Sequence, residues 1–400
     1  MRTRNDPRGA NRPGAGSHHL QRGRCSVDAD QSPGNGGCCI RRSAHLPPVI
    51  QAHINRIATA VPRHEVHDAF RRFAGRQITD ARTRDAFARL MARSQIERRY
   101  SVLQPDAEAR GTVCGFYRQA CFPPTGTRMT RYEAEAPALA EAACDALGLE
   151  REAPRITHLI LATCTGFVAP GLDHWLIRRY GLPGETQRTV VGFMGCQAAI
   201  NALKLAWQAV RSDPRARVLV LNLELCSLHL QPSADIGQLL CFLLFADGCS
   251  AALVSAEPEG LRMDGFHAAL VPEARDQITW RIGDSGFDMT LSGLLPLTLA
   301  RALPEQAARI TGGVAPEEVA LWAVHPGGRS VLDAVAQGLA LPDAALDVSR
   351  AVLREYGNMS SATVMFVLQR MLGTARPGQR GCALAFGPGL STEAMRFTVD

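Results

Sequence analysis

The chain has 400 residues, 46% of them hydrophobic, enough to bury a large core as two domains or as one domain of two halves. No apolar run reaches the roughly 20 residues needed to cross a bilayer, which argues against membrane insertion. The net charge of +6 is concentrated in residues 1–45, where eight arginines stand against Asp6, Asp28 and Asp30; the rest is nearly neutral and offers no face for nucleic acid.

Residues 1–46 are rich in Gly, Pro, Ser and Asn without hydrophobic period, and read as a disordered basic extension. They lack the apolar stretch of a secretion signal. A nucleic-acid arm or organelle presequence is the alternative to a dispensable extension. Then "VIQAHINRIATAVP" predicts a first strand ending at Pro62, and residues 65–95 carry helical spacing with many arginines. Residues 133–148 read as an amphipathic helix closed by Gly148. "ITHLILATCTG" reads as a buried parallel strand and "GLDHWLIRRYG" as a helix. "TVVGFMG" predicts a strand, "CQAAINALKLAWQAVRSD" a helix and "ARVLVLNLELCS" another strand; "CFLLFADGCSAALVSA" reads as helix end, turn and strand. The second half continues with helix "TLARALPEQAARITG", strand "EVALWAVHPGG", helices "RSVLDAVAQGLAL" and "MSSATVMFVLQRML", and a closing pair of strands in "GCALAFGPGLSTEAMRFTV". Alternating strand and helix argues for an α/β sheet covered on both faces.

None of the 12 cysteines is spaced as Cys-x-x-Cys, so neither a zinc ribbon nor a thioredoxin-type site is expected, and a reducing cytoplasm is the natural compartment. Cys196 stands apart, at the joint between a strand and a helix in "GFMGCQAAINALKLA". There it meets free backbone N–H groups and the positive end of the helix, which lower a thiol pKa. The glycines allow a sharp turn and close approach by substrate. Taken alone, the pattern also fits a buried structural cysteine. His325 ends a strand in "AVHPGG" and Asn358 follows a glycine in "EYGNMSSATV". Either alone is ordinary: a satisfied core histidine, a helix cap. Together, Cys, His and Asn at element ends are a recurrent set for acyl transfer through a thioester.

"GFMGCQAA", "HPGG" and "YGNMSSATVMFVL" resemble the three active-site motifs of the type III polyketide synthases, the chalcone synthase family. "IERRY", "ATCTGFVAPG", "LFADG" and "FGPGL" follow in the family's order, and the resemblance covers about residues 47–400. It implies a thiolase-like αβαβα fold of two pseudo-symmetric halves, 47–258 with the nucleophile and 259–400 with His and Asn. It also implies a homodimer and no cofactor beyond coenzyme A thioesters as substrates. Cys196 would accept an acyl group from acyl-CoA, and His325 would hold it as thiolate in an ion pair. His325 and Asn358 would stabilise the enolate formed when malonyl-CoA loses carbon dioxide. Arg89 and Arg93 match basic positions for coenzyme A phosphates; read alone, they are a solvated helix face. Phe245 matches the gatekeeper between coenzyme A tunnel and cavity, and Gly387, Pro388 and Gly389 the loop shaping the cavity wall.

At the family's cavity positions this chain has Cys164, Cys226, Leu228, His229, Trp280, Met289 and Ser360. Plant chalcone synthases have smaller hydroxyl residues at positions 164, 226 and 229, and a glycine and a phenylalanine near 280 and 289. "IGDSGFDM" resembles bacterial members. Bulky His229 and Trp280, with room beside the nucleophile at Cys164 and Ser360, point to a medium- or long-chain fatty acyl-CoA starter and alkylpyrone or alkylresorcinol products. A short starter giving phloroglucinol- or naphthalene-type phenols is the rival. A single-condensation ketoacyl-acyl-carrier-protein synthase III and a non-catalytic binding protein are the other readings. The near-neutral body lacks a carrier-protein docking face, and an intact Cys196, His325 and Asn358 set counts against a scaffold.

Overall fold

A computed structural model describes residues 50–105, 112, 113, 115–118, 122–231, 233 and 235–400. The extension expected over residues 1–46 lies outside them. Nine strands form one mixed sheet, in the order Leu321–Val324, Arg380–Gly387, Ser391–Val399, Leu261–Leu270, His53–Ala60, Asp247–Ser255, Val218–Leu225, His158–Thr163, Gln187–Gly192. The most apolar stretches become its interior: every residue of Val218–Leu225 and Asp247–Ser255 is buried.

The pairing repeats. His158–Thr163 runs parallel to Val218–Leu225, which is antiparallel to Asp247–Ser255, itself antiparallel to His53–Ala60. Likewise Leu321–Val324 runs parallel to Arg380–Gly387, which is antiparallel to Ser391–Val399, itself antiparallel to Leu261–Leu270. Among the described residues only the edge strand Gln187–Gly192 has no counterpart in the second set. The two sets meet through the pairs His53–Arg262 and Ile54–Leu261.

Alternation along the strands sorts side chains into three cores. Leu159, Leu161, Leu219 and Leu221 pack with helices Thr125–Leu147 and Leu172–Tyr180. Ile160, Ala162, Val218 and Val220 face helices Ala198–Ser212 and Ala362–Leu372, which also pack on Ala323, Ala383 and Met395 of the second set. Trp322, Val324 and Leu384 point the other way, onto helices Leu295–Thr311 and Arg329–Gly338. The layers are therefore helix, sheet, helix, sheet, helix, as expected.

Several elements differ from their sequence reading, and the strand Leu261–Leu270 and the helix Asp347–Tyr356 were not read at all. The helix expected over 133–148 starts at Thr125, because burial of Arg128 and Tyr132 holds two turns rich in threonine, a weak helix former. The hairpin Ile278–Gly283 and Gly286–Leu291 was not read as strands, although both stretches alternate: Ile278, Trp280 and Ile282 pair with Leu291, Met289 and Phe287, and Arg281 pairs with Asp288 in the polar positions between them.

Candidate active site

The two central helices are both preceded by reactive residues. Cys196 lies in a one-turn 3-10 helix, Gly195–Gln197, that opens helix Ala198–Ser212. Gly195 has φ 72, and a Cβ there would lie 2.3 Å from Cδ of Pro388. A Cβ on Gly387 would lie 2.7 Å from Cδ of Gln197. So the close approach that these glycines permit is made by the "FGPGL" loop, which braces the cysteine turn. Ser391 Oγ adds a hydrogen bond to Gln197 Oε1 at 2.8 Å. Cys164 supports the turn from another side: its Sγ accepts from the Gly195 N–H at 3.1 Å.

Cys196, His325 and Asn358 line one cavity. His325 follows strand Leu321–Val324, tied by its N–H to the Leu384 carbonyl at 2.8 Å. It is buried, and neither ring nitrogen has a hydrogen-bond partner among the described residues. Buried polar atoms are nearly always satisfied, so an unpartnered imidazole in a cavity wall marks a place for a reacting group. Asn358 has a set orientation: its Oδ1 accepts from the Ser360 N–H at 2.9 Å, while its Nδ2 donates to the Gly327 carbonyl at 3.3 Å. The amide also reaches the Cys196 thiol, so Asn358 faces the sulfur that would carry the acyl group.

Burial pushes the Cys196 thiol up to about 12, opposed by hydrogen bonds from Ser360 and Asn358. Desolvation of a lone thiolate thus works against the lowering expected from the helix position. Burial also brings His325 down to about 3. A lone charge is disfavoured on either group. A thiolate–imidazolium pair carries no net charge, and mutual attraction offsets the desolvation.

Cys164, Cys226, His229, Phe245, Trp280, Met289, Ser360, Gly387 and Pro388 line the same cavity. Among the residues carried from the resemblance, Gly389, Arg89 and Arg93 do not. Gly389 holds the loop, its N–H donating to the Ile278 carbonyl at 3.1 Å. Arg89 and Arg93 are exposed on helix Ala81–Ser94, which packs on the cavity-lining helix Ile236–Leu244. Leu228 turns away into the outer core.

The wall beside Cys164 is rigid. His229 Nε2 donates to the Thr165 carbonyl at 2.7 Å and its Nδ1 accepts from the Phe287 N–H at 3.1 Å. Its ring stacks on Phe287 with centroids 4.1 Å apart, and Trp280 Nε1 donates to the Cys164 carbonyl at 2.8 Å. Sequence reading missed Thr165, Gln238, Cys241, Ile278, Leu291 and Leu295 in the lining. Only the one-turn neighbours of marked residues, Thr165 and Cys241, carried any signal. It also missed Glu224, fully buried behind the cavity. Glu224 accepts from the Cys164 N–H at 2.9 Å and the hydroxyls of Thr165 at 2.9 Å and Ser361 at 2.6 Å. Burial raises its carboxyl to about 7 against those bonds.

Five alternating layers with reactive residues leading into the two central helices are the architecture of the thiolase-like condensing enzymes, and the chain is one of that class. The description "Chalcone and stilbene synthases, N-terminal domain" matches residues 49–258, and the C-terminal domain of the same family matches 265–399. The "alpha-pyrone synthesis polyketide synthase-like Pks18" of Mycobacterium tuberculosis is 32% identical over 368 residues, 88% of this chain and 92% of that protein. The 1,3,6,8-tetrahydroxynaphthalene synthase of Streptomyces coelicolor is 35% identical over 273 residues, 66% of this chain and 72% of that protein. Its crystal structure aligns with TM-score 0.77 at 29% identity, covering 87% of this chain and 99% of that one. The C-terminal type III polyketide synthase domain of Dictyostelium "Steely1" shares the fold, with TM-score 0.80 at 23% identity over 87% of this chain and 99% of that one. The chain belongs to the chalcone and stilbene synthase family and is a type III polyketide synthase, an acyltransferase that extends acyl-CoA starters with malonyl-CoA.

Proposed function

We propose that Cys196, His325 and Asn358 carry both half-reactions. The Cys196 thiolate attacks the starter thioester, and His325 gives its proton to the departing coenzyme A thiol. Malonyl-CoA then loses carbon dioxide, and the enolate oxygen takes hydrogen bonds from His325 and Asn358 Nδ2. The enolate carbon attacks the Cys196 thioester, forming the carbon–carbon bond and releasing the thiolate. The extended chain stays on coenzyme A and reloads on Cys196 for the next round. Donors set in place before charge develops are the largest single contribution in such sites. The carrying observation is the buried imidazole of His325, without a partner among the described residues, in the same wall as Cys196 and the oriented amide of Asn358. The steps need no metal or organic cofactor beyond the thioesters. Arg89 and Arg93 would take the coenzyme A phosphates at the surface, 47–258 and 259–400 are the two halves, and the seven free cysteines among the described residues fit the cytoplasm.

For the starter, we infer a medium- or long-chain fatty acyl-CoA, extended two or three times to an alkylpyrone or alkylresorcinol. The His229, Phe287 and Trp280 wall is locked by hydrogen bonds and cannot turn aside for a rigid ring. The same lining includes the aliphatic side chains of Ile278, Leu291, Leu295 and Val331. Each methylene buried there contributes on the order of 0.8 kcal/mol. The similarity to an alpha-pyrone synthesis protein supports this, while that to a tetrahydroxynaphthalene synthase keeps a short starter with a phenolic product as the second reading. Catalytic efficiency across acetyl-, hexanoyl-, lauroyl- and p-coumaroyl-CoA decides. It should rise with aliphatic length; a fall with length, or a preference for coumaroyl-CoA, sinks the fatty-starter reading.

A further inference from the structure

Arg99 is fully buried behind the cavity. Its Nε donates to Nδ1 of His67 at 3.0 Å and its Nη1 to the carbonyl of Phe245 at 2.9 Å. The guanidinium carbon lies 5.4 Å from the centroid of Phe70, and Nη2 has no hydrogen-bond partner among the described residues. Both acceptors are uncharged, one a backbone carbonyl and the other an imidazole that burial, with the Arg99 charge adding to it, brings down to about 3. Glu65 and Asp247 compensate the cation only through their fields. A buried cation held this way is costly, and apolar packing of similar volume is often at least as stable.

What Arg99 holds is specific. Phe245 and Asn358 face each other in an isolated β-bridge. The Asn358 N–H donates to the Leu244 carbonyl at 2.8 Å, and the Ala246 N–H to the Asn358 carbonyl at 2.9 Å. The carbonyl that Arg99 grips lies between those two bonds. Beside it, Gly357 has φ 71, and a Cβ there would lie 2.8 Å from Cγ of Arg99 and 2.9 Å from the Leu244 carbonyl oxygen. The arginine thus packs directly on the backbone that leads into Asn358. The cysteine turn is braced separately, by Pro388 and Ser391.

We propose that Arg99 is a positioning residue for decarboxylation: it locks the Phe245–Asn358 bridge and so aims the Asn358 amide at the malonyl thioester. This rests on the role given to Asn358 above. The guanidinium fork reaches His67 and Phe245 together, which a lysine cannot do.

The test measures acyl loading of Cys196 and malonyl-CoA decarboxylation separately in the wild type, Arg99→Met, Asn358→Ala and the double variant. Arg99→Met should keep loading close to wild type and slow decarboxylation by about 10- to 100-fold, the size expected of a misplaced group. The double variant should be no slower than Asn358→Ala alone, because residues acting through one group are not additive. Arg99→Lys provides the same comparison if the methionine variant does not fold, with a smaller loss expected. Losses that multiply in the double variant, or loading and decarboxylation falling together, overturn the proposal. Unchanged decarboxylation in Arg99→Met overturns it while leaving Asn358 in its role. Unchanged decarboxylation in Asn358→Ala overturns the reading of Asn358 and this proposal with it.

Discussion

Cys196 and His325 are each pushed toward neutrality by burial. Their reactivity at neutral pH then depends on sharing one proton. The rate of Cys196 alkylation by iodoacetamide against pH separates the two cases. If the thiolate–imidazolium pair forms, the rate is already substantial at pH 6–7 and changes little up to pH 9. If the groups titrate singly, the thiolate fraction rises about tenfold per pH unit toward a thiol pKa of about 12, and the paired state is wrong. At this scale the grouping of Cys196, His325 and Asn358 around one cavity was legible, because each sits in a short motif with glycine neighbours. The stack of His229 on Phe287 was not. It joins residues 58 positions apart through a backbone N–H, a contact that no local pattern records. The opposing push of burial on the thiol was hidden for a similar reason: helix position is local, and desolvation is a property of everything around it.

Between elements, the decisive contact is the "FGPGL" loop against the cysteine turn. Gly195→Ala adds a methyl 2.3 Å from Pro388 Cδ, at a backbone conformation of φ 72 that L side chains rarely adopt. Strain of this kind costs on the order of 1–3 kcal/mol. The expected result is a lower melting temperature and acyl loading reduced at least about tenfold, since a shift near 1 Å suffices for that. Normal loading in this variant would show that the turn does not need the loop. Sequence reading found both motifs and assigned the glycines to substrate approach; that they serve each other became visible only when the last hairpin was placed beside the first central helix. The layered order was legible because buried parallel strands and amphipathic helices carry strong period signals. The hairpin Ile278–Leu291 carries the period-2 signal too, but its two strands have six residues each around a two-residue turn, and the sequence reading passed over them.

For the molecule as a whole, the edge strand Gln187–Gly192 presents exposed Val190 beside exposed Phe167 and Met194. An unpaired edge flanked by apolar side chains invites pairing with another chain. We propose that this edge forms the two-fold interface of a homodimer. Sedimentation should give a dimer for the wild type and a monomer for Val190→Asp; a monomeric wild type contradicts it.

The account stands or falls on Cys196 as the acyl acceptor. Intact-protein mass with peptide mapping after incubation with lauroyl-CoA tests this directly. The expected result is one acyl group per chain, on the peptide carrying Cys196 and absent in Cys196→Ala, with malonyl-CoA then discharging it into extended product. An acyl adduct that persists in Cys196→Ala, or maps to Cys164 or Cys226, would contradict the account.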